Sequence, residues 1–341
     1  GGTINMHNSV LTNNSARTDS TGAAKAQSES YLNIYDSVFK NDNALSSTAG
    51  AIGYQDATGV ISGTLFEQNR AGHGGAVGVW QGSTVTLVNS EFKNNSTPSG
   101  YGGAMYVDGG SDVIVKNTVF TGNTAGKGGA IYAIGSNITI DGSTFKENTD
   151  SNGGAAIWFE STTGSTANIS NSKFIANKGS AIYNKSGIMN ISTSEFTDAK
   201  DVINLIYNKG TMNITDSLFQ NNSSAGHEII TNDVNLTITG SKFVNNTTKA
   251  GVLTTYHAGV ATIYDSTFSG NKGSTGAGAI YNTTGATTNI IAQNQSVIFE
   301  NNTANGIAND ILNNNGTINL NSALGMKISL GGGIKASNSD E

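Results

Sequence analysis

The chain has no cysteine, a single proline and only two arginines, Arg17 and Arg70, among its 341 residues. Without cysteine there is neither a disulfide framework nor a thiolate metal site, so stability must come from packing. Proline normally makes up about 5% of a chain. Its scarcity fits a mostly stranded protein, because ladder positions need their N–H. The one proline lies in Ser96-Thr97-Pro98-Ser99-Gly100, which reads as a loop. Charged residues are only 12% of the chain and the formal net charge is −6. No basic stripe exists to neutralise phosphates, which excludes nucleic acid as a partner. No apolar run approaches the roughly 18 residues needed to span a bilayer, so this segment is not expected to insert directly into a membrane. No charged-then-apolar leader precedes the first repeat at Gly1, so the chain reads as an internal segment.

What is present is a repeat. Phenylalanine recurs at positions 39, 66, 92, 120, 145, 174, 196, 219, 243, 268 and 299, at spacings of 22 to 31 residues, with Leu11 in the same place in a first coil and only Phe159 outside the series. A period of this size with β-favouring residues marks a solenoid. Two residues before the Phe stands Ser or Thr, from Ser9 and Ser37 to Ser266; in the Phe299 coil Ser296 comes one place early. Residues two apart on a strand share a face, so a hydroxyl column is expected beside the Phe column inside the cylinder, its members satisfying one another. In the coils from Leu11 to Phe268, three residues before the Phe comes Asn, Asp or Gly, with Thr193 the exception, and these types tolerate the left-handed backbone of a tight bend. Apolar pairs at i, i+2 lie further upstream, for example Leu32/Ile34, Ile138/Ile140 and Met212/Ile214, and predict a strand with one buried face.

Three residues after the Phe is Asn in nine of eleven coils, Asp42 and Ala199 being the exceptions. It is assigned to the next bend, with its amide bonding the same Asn one coil above. A third strand then opens with small residues and an aliphatic, as in Gly74-Gly75-Ala76-Val77 and Gly128-Gly129-Ala130-Ile131. The expected fold is all-β: a right-handed parallel β-helix of about twelve coils, each of three short strands. It should form a single segment over 1–341, with repeat coils to about residue 310 and terminal coils over 311–341 leading towards a further C-terminal region. The coil around Phe196, where both motifs fail, is the expected weak point.

The alternation of Gly-Gly-Ala-(Ile/Val/Met) with Phe-x-x-Asn, once per coil, resembles the repeats of chlamydial polymorphic outer-membrane proteins and of related autotransporter passengers. Similar repeats occur in adhesin-like surface proteins of methanogenic archaea. The likeness covers about residues 1–310, and Asp310-Ile311-Leu312-Asn313-Asn314-Asn315-Gly316-Thr317-Ile318-Asn319-Leu320 is similar to the end of autotransporter repeat regions. The absence of cysteine departs from the chlamydial pattern. The resemblance implies export, display at the cell surface through a C-terminal outer-membrane barrel, and a role in adhesion or aggregation. The implied partners are a host-cell surface protein, a glycan, or another copy of the chain along its side or end to end.

Candidate chemistry is sparse. Gly72-His73-Gly74 echoes the Gly-His-Gly of polygalacturonases, but the paired aspartates of that chemistry are missing, and His73 is read as a loop residue filling the small-residue turn. The nearest acidic pairs, Asp108 with Asp112 and Asp198 with Asp201, lack the oxygen density calcium demands. His7, His227 and His257 are isolated and lack metal-ligand spacing. No catalytic residue, metal or cofactor is therefore expected, and no carboxylates cluster on one face of adjacent coils. The sharpest positional signal follows the third-strand aliphatic. Alternation turns Tyr106, Tyr132, Trp158 and Tyr183 outward on consecutive coils, with Tyr207 and Tyr281 repeating the pattern later. This predicts an exposed aromatic ladder able to stack sugars or a partner strand. The function expected is a surface adhesin or passenger acting by avidity along its coils. The alternatives are a polysaccharide-active β-helix enzyme and an inert stalk.

Overall fold

The computed structural model describes residues 1–17, 21–162 and 164–336. It divides into two compact units, Gly1–Tyr183 and Asn184–Glu341. Among the described residues there is no helix. Each unit is a right-handed parallel β-solenoid, built of coils that repeat the same strands.

One coil of the first unit shows the order. The strand Thr84–Val88 carries the apolar pair, Glu91–Lys93 carries the phenylalanine, Ser96–Tyr101 is a short outer strand, and Met105–Val107 returns to the next coil. Three strands per coil were expected; the short strand after the Asn is a fourth, present in some coils. Pro98 lies in that strand and not in a loop, at a register irregularity between Thr97 and Tyr101 where its missing N–H does no harm. A coil beyond the twelve expected is closed by Ile328–Leu330, whose Leu330 pairs with Phe299 in the phenylalanine register.

Inside each unit the columns follow from the repeat. Phenylalanine rings stack at 4.6 to 5.2 Å between centroids, from Phe39 to Phe174 in the first unit and from Phe196 to Phe299 in the second. Offset stacking of this kind adds about 0.5–1.5 kcal/mol per pair beyond the burial of the rings. The hydroxyl column is buried, but its members do not satisfy one another. Ser37 Oγ donates to the Tyr35 carbonyl at 2.8 Å and accepts the backbone N–H of Ser9 at 3.1 Å, so each rung is linked through main chain. The same scheme joins Ser217 to Thr215 and Ser194.

From the Leu11 coil to the Phe268 coil the residue three before the phenylalanine position is left-handed, with φ of 47° at Asp36, 48° at Asn117 and 47° at Asp216. Thr193, a poor residue for this region, still adopts 46°. The second bend differs from expectation by one position. Left-handed φ falls two residues after the phenylalanine, at Asn41, Gln68, Asn94, Gly122, Glu147, Asn221 and Asn245 among others. This frees the Asn three residues after it to point inward. Asn95 Nδ2 donates to Asn123 Oδ1 at 3.0 Å and to the Phe66 carbonyl at 3.0 Å, while its backbone N–H reaches the same Asn123 oxygen at 2.9 Å. The resulting amide ladder runs from Asn69 to Asn177 in one unit and from Asn222 to Asn302 in the other. Buried amides stay in such a core because donors and acceptors both find partners.

The Gly-Gly-Ala motif answers a steric demand. A Cβ at Gly75 would meet the carbonyl oxygen of Gly103, and one at Gly103 that of Gly129, so the turn into the return strand admits no side chain.

Candidate functional site

The return strands decide what the lateral face can do, because one of their positions points out of the cylinder. In the first unit their register aligns Gly53, Gly78, Tyr106, Tyr132 and Trp158 in one outward column. The aromatic members stack: Tyr106 on Tyr132 at 5.8 Å, Tyr132 on Trp158 at 6.0 Å, and Trp158 on Tyr183 at 4.2 Å. Trp80 folds back over the two glycines, where an added Cβ would touch its ring.

The ladder is therefore assembled as the spacing predicts, but its two middle rungs are buried and its ends, Tyr106 and Tyr183, are only half-exposed. Tyr132 and Trp158 are each only 4% accessible. A second layer from the preceding turns covers them. Tyr101 stacks on Tyr132 at 4.7 Å, His73 lies against Tyr101 and Tyr106, and the Lys127 ammonium sits 4.7 Å above Trp158 and 5.4 Å from Tyr101. Sequence alternation gave the direction of the rings correctly; the cover comes from the outer strands Ser96–Tyr101 and Thr124–Lys127, whose path the alternation does not carry.

Polar atoms within this layered face are held tightly. Tyr106 donates to Asp108 at 2.8 Å and Tyr132 to Glu160 at 3.4 Å. Burial first, then these carboxylates, push both phenols well above their ordinary range. Burial lowers the His73 imidazole, opposed by the charge of Asp108. His73 Nδ1 and Trp158 Nε1 are buried without a hydrogen-bond partner. His73 thus belongs to the aromatic pile and is not a filler of the small-residue turn. No second carboxylate is brought to it, and Asp112 instead accepts from Asn137 at 2.9 Å.

The second unit treats the same position differently. Its outward column reads Tyr207, Thr231, Thr254, Tyr281 and Leu312, so two threonines separate the tyrosines and no ladder forms there. The space left open is a cleft of about 300 Å³ beside the Ile206–Asn208 and Ile230–Asn232 strands. It holds two acids, two tyrosines and two histidines from three successive coils: Tyr207, then His227, Glu228 and Asp233, then Tyr256 and His257.

Glu228 is 2% accessible, yet both its oxygens are engaged: Tyr256 donates to Oε1 at 2.8 Å and Thr231 to Oε2 at 3.1 Å. Asp233 Oδ2 accepts from Tyr207 at 3.0 Å, and the Lys209 ammonium stands 3.8 Å from that oxygen and 4.9 Å from the Tyr207 ring centre. Burial, then Asp233 and Glu228, push the Tyr207 phenol up to about 12, and Tyr256 is raised for the same reasons. Both phenols therefore remain protonated donors. His227 and His257 are exposed at the rim, with His257 edge-on to Tyr256. The two histidines are exposed, as the sequence reading has them, and they border one cleft; Glu228 and Asp233 line it from a single coil, a pairing that a search across adjacent coils does not reach. Five residues separate the two acids, so one chain signal was available; the tyrosines come from neighbouring coils and gave none. Among the described residues no group of three or more His, Asp or Glu could hold a metal ion.

Comparison with known proteins gives a family setting for part of the chain. Residues 1–163 match the right-handed beta helix region, and residues 265–283, the coil of Phe268, match the Chlamydia polymorphic membrane protein repeat. No curated protein matches the sequence. Among solved structures the fold is similar to that of the periplasmic alginate epimerase AlgG, with 10% identity, a TM-score of 0.50, and coverage of 90% of this chain and 78% of that one. A variant of the same enzyme aligns at 9% identity and a TM-score of 0.49, over 92% of this chain and 76% of that one. At such identity the likeness concerns the fold alone.

Proposed function

We propose that this chain is a surface-displayed, passenger-like β-helix that attaches its bearer to other surfaces by binding, without turnover. The observation that carries the reading is the match of the Phe268 coil to a chlamydial polymorphic membrane protein repeat, within a chain built of like coils. The lateral face supports it. In the first unit Tyr132 and Trp158 are buried beneath stacked rings, while the second unit has a cleft open to solvent. Attachment would then rest on that cleft and on repetition along the coils, and the buried rings would serve as support. The tied oxygens of Glu228 favour binding over acid–base chemistry, since each already accepts a hydroxyl proton.

A second reading, action on a polysaccharide, rests on the presence of two carboxylates in one cleft. The experiment that separates the two incubates beads coated with the purified chain with host-cell monolayers and with a glycan array, and assays the soluble chain for release of reducing ends or unsaturated sugars. Attachment above uncoated beads without product is expected. Absence of attachment to every surface would overturn the proposal, and product formation would install the enzyme reading in its place. Display is tested on intact cells of the source, where antibody against the chain should label the exterior and external protease should remove the label.

A further inference from the structure

The cleft lined by Tyr207, Glu228, Asp233 and Tyr256 gathers two carboxylates and two phenols from three coils of the second unit. We propose that it is a binding site for one hexose ring of a glycan, neutral or amino-bearing, with the amino sugar preferred and uronates excluded. The proposal gives the attachment reading its ligand class, but its chemistry stands on the cleft alone.

Four observations carry it. The volume, about 300 Å³, lies at the lower end of the range for small-ligand sites and suits a ring, not an extended polymer. The polar groups are fixed before any ligand arrives: Tyr256 and Thr231 hold Glu228, and Tyr207 holds Asp233, so no ordering need accompany binding. Glu228 is 2% accessible and serves as support, so the lone pairs that can accept sugar hydroxyls or an ammonium are those of Asp233, beyond the one the Tyr207 hydroxyl occupies. An apolar wall is present too, since Ile203 lines the cleft and is 61% accessible, and a pyranose offers one face of C–H groups to such a surface.

The charge of the cleft sets the preference. The Lys209 ammonium already lies over the Tyr207 ring and near Asp233, which shows that this rung accommodates a cation between an aromatic face and a carboxylate. A sugar amine meets the same two groups from the open side. A uronate would bring its carboxylate against Glu228 and Asp233, and like charges in a partly desolvated site repel.

The test titrates the whole chain, by calorimetry, with glucosamine tetramer, glucose tetramer and galacturonic acid tetramer. Saturable binding is expected for the first, weaker binding for the second and none for the third. Asp233→Asn and Tyr256→Phe should each lower the affinity for the glucosamine tetramer at least about tenfold. Ile203→Arg, at an exposed position that folding does not use, should abolish it while β-sheet circular dichroism stays unchanged. Tyr281→Phe, outside the cleft, should bind as the parent does. The proposal is overturned by no saturable heat with any tetramer, by preference for the uronate, or by unaltered binding in both Ile203→Arg and Asp233→Asn. Cell attachment measured on the same proteins separates the two ideas. Sugar binding without attachment in the parent chain removes the adhesive reading and leaves the site. Attachment that survives Ile203→Arg after sugar binding is lost leaves the site and moves attachment elsewhere.

Discussion

The two units share a coil and differ in their return strands. Both stack phenylalanine, bond serine or threonine to main chain, and run an amide ladder beside the rings. On the return strand of the first unit, the inward position is Val79, Val107, Ala133 and Phe159, and the outward one is a covered aromatic column. In the second unit the inward position is Asn184, Asn208, Asn232, Thr255, Asn282 and Asn313, and the outward column is broken by threonine. The asparagines form a second ladder, with Asn184 donating to Asn208 and Asn208 to Asn232, both at 2.8 Å. The lesson is a division of labour within one repeat. The phenylalanine strand and its flanks define the coil, and the return strand is free to change its interior from apolar to amide and its exterior from an aromatic column to one broken by threonine.

The strongest test of the shared part removes equivalent rings. Phe120→Ala and Phe243→Ala each delete a fully buried ring stacked on both sides, and each should lower stability by about 3–5 kcal/mol in chemical denaturation. A loss confined to one of them would break the claim that the units share a core. The unshared part is probed next. Trp158→Ala should cost about 3 kcal/mol, because the ring is buried between Tyr132 and Tyr183 beneath Lys127, whereas Thr231→Ala at the same outward position should cost about 1–2 kcal/mol, the worth of a hydroxyl that donates to Glu228 and accepts from Asn204.

Asp150 sharpens the comparison through pH. Burial raises its carboxyl from 3.8 to about 6, opposed by the N–H groups of Asn152 and Gly153, and its Oδ1 is buried without a partner. With the folded value above the unfolded one, the native state holds the extra proton between about pH 4 and 6, so stability falls as pH rises through that window and stays low above it. Asp150→Asn should remove this contribution and add about 2 kcal/mol at neutral pH, read as a denaturation midpoint that falls less between pH 4 and 7 than the parent's. The smallest effect concerns the gap in the second ladder. Thr255 is fully buried with its hydroxyl unpartnered, between Asn232 and Asn282. Thr255→Asn should close the gap and raise stability by about 1 kcal/mol, and a drop would show that the coil lacks room for an amide.

Sequence alone carried the columns well, because each is set by residue types at fixed offsets from the phenylalanine. The left-handed bend at Asn8, Asp36 and Asn117 was legible for that reason. The bend at Gln68 and Asn94 was misplaced by one residue: Asn suits both a turn and an inward ladder, and only the backbone shows which of two adjacent polar residues turns. The Ile-Tyr-Asn triplets at 182–184, 206–208 and 280–282 held the signal for the second ladder in plain view, but attention to the tyrosine hid the asparagine. Exposure was the hard quantity. Whether Trp158 faces water depends on where Lys127 and Tyr101 fold, and whether Glu228 meets Tyr256 depends on loops 28 residues apart, neither of which alternation encodes.

The amide ladder has a direction. Each Asn side chain spends its Nδ2 on the carbonyl oxygen of the coil that follows, and each such oxygen takes both the side-chain and the main-chain N–H of the coil before. A half-built stack therefore ends on two unmet donors, spaced for one incoming carboxamide and nothing bulkier. Each turn laid down within a ladder satisfies the two donors of the turn before it and presents an identical pair of its own.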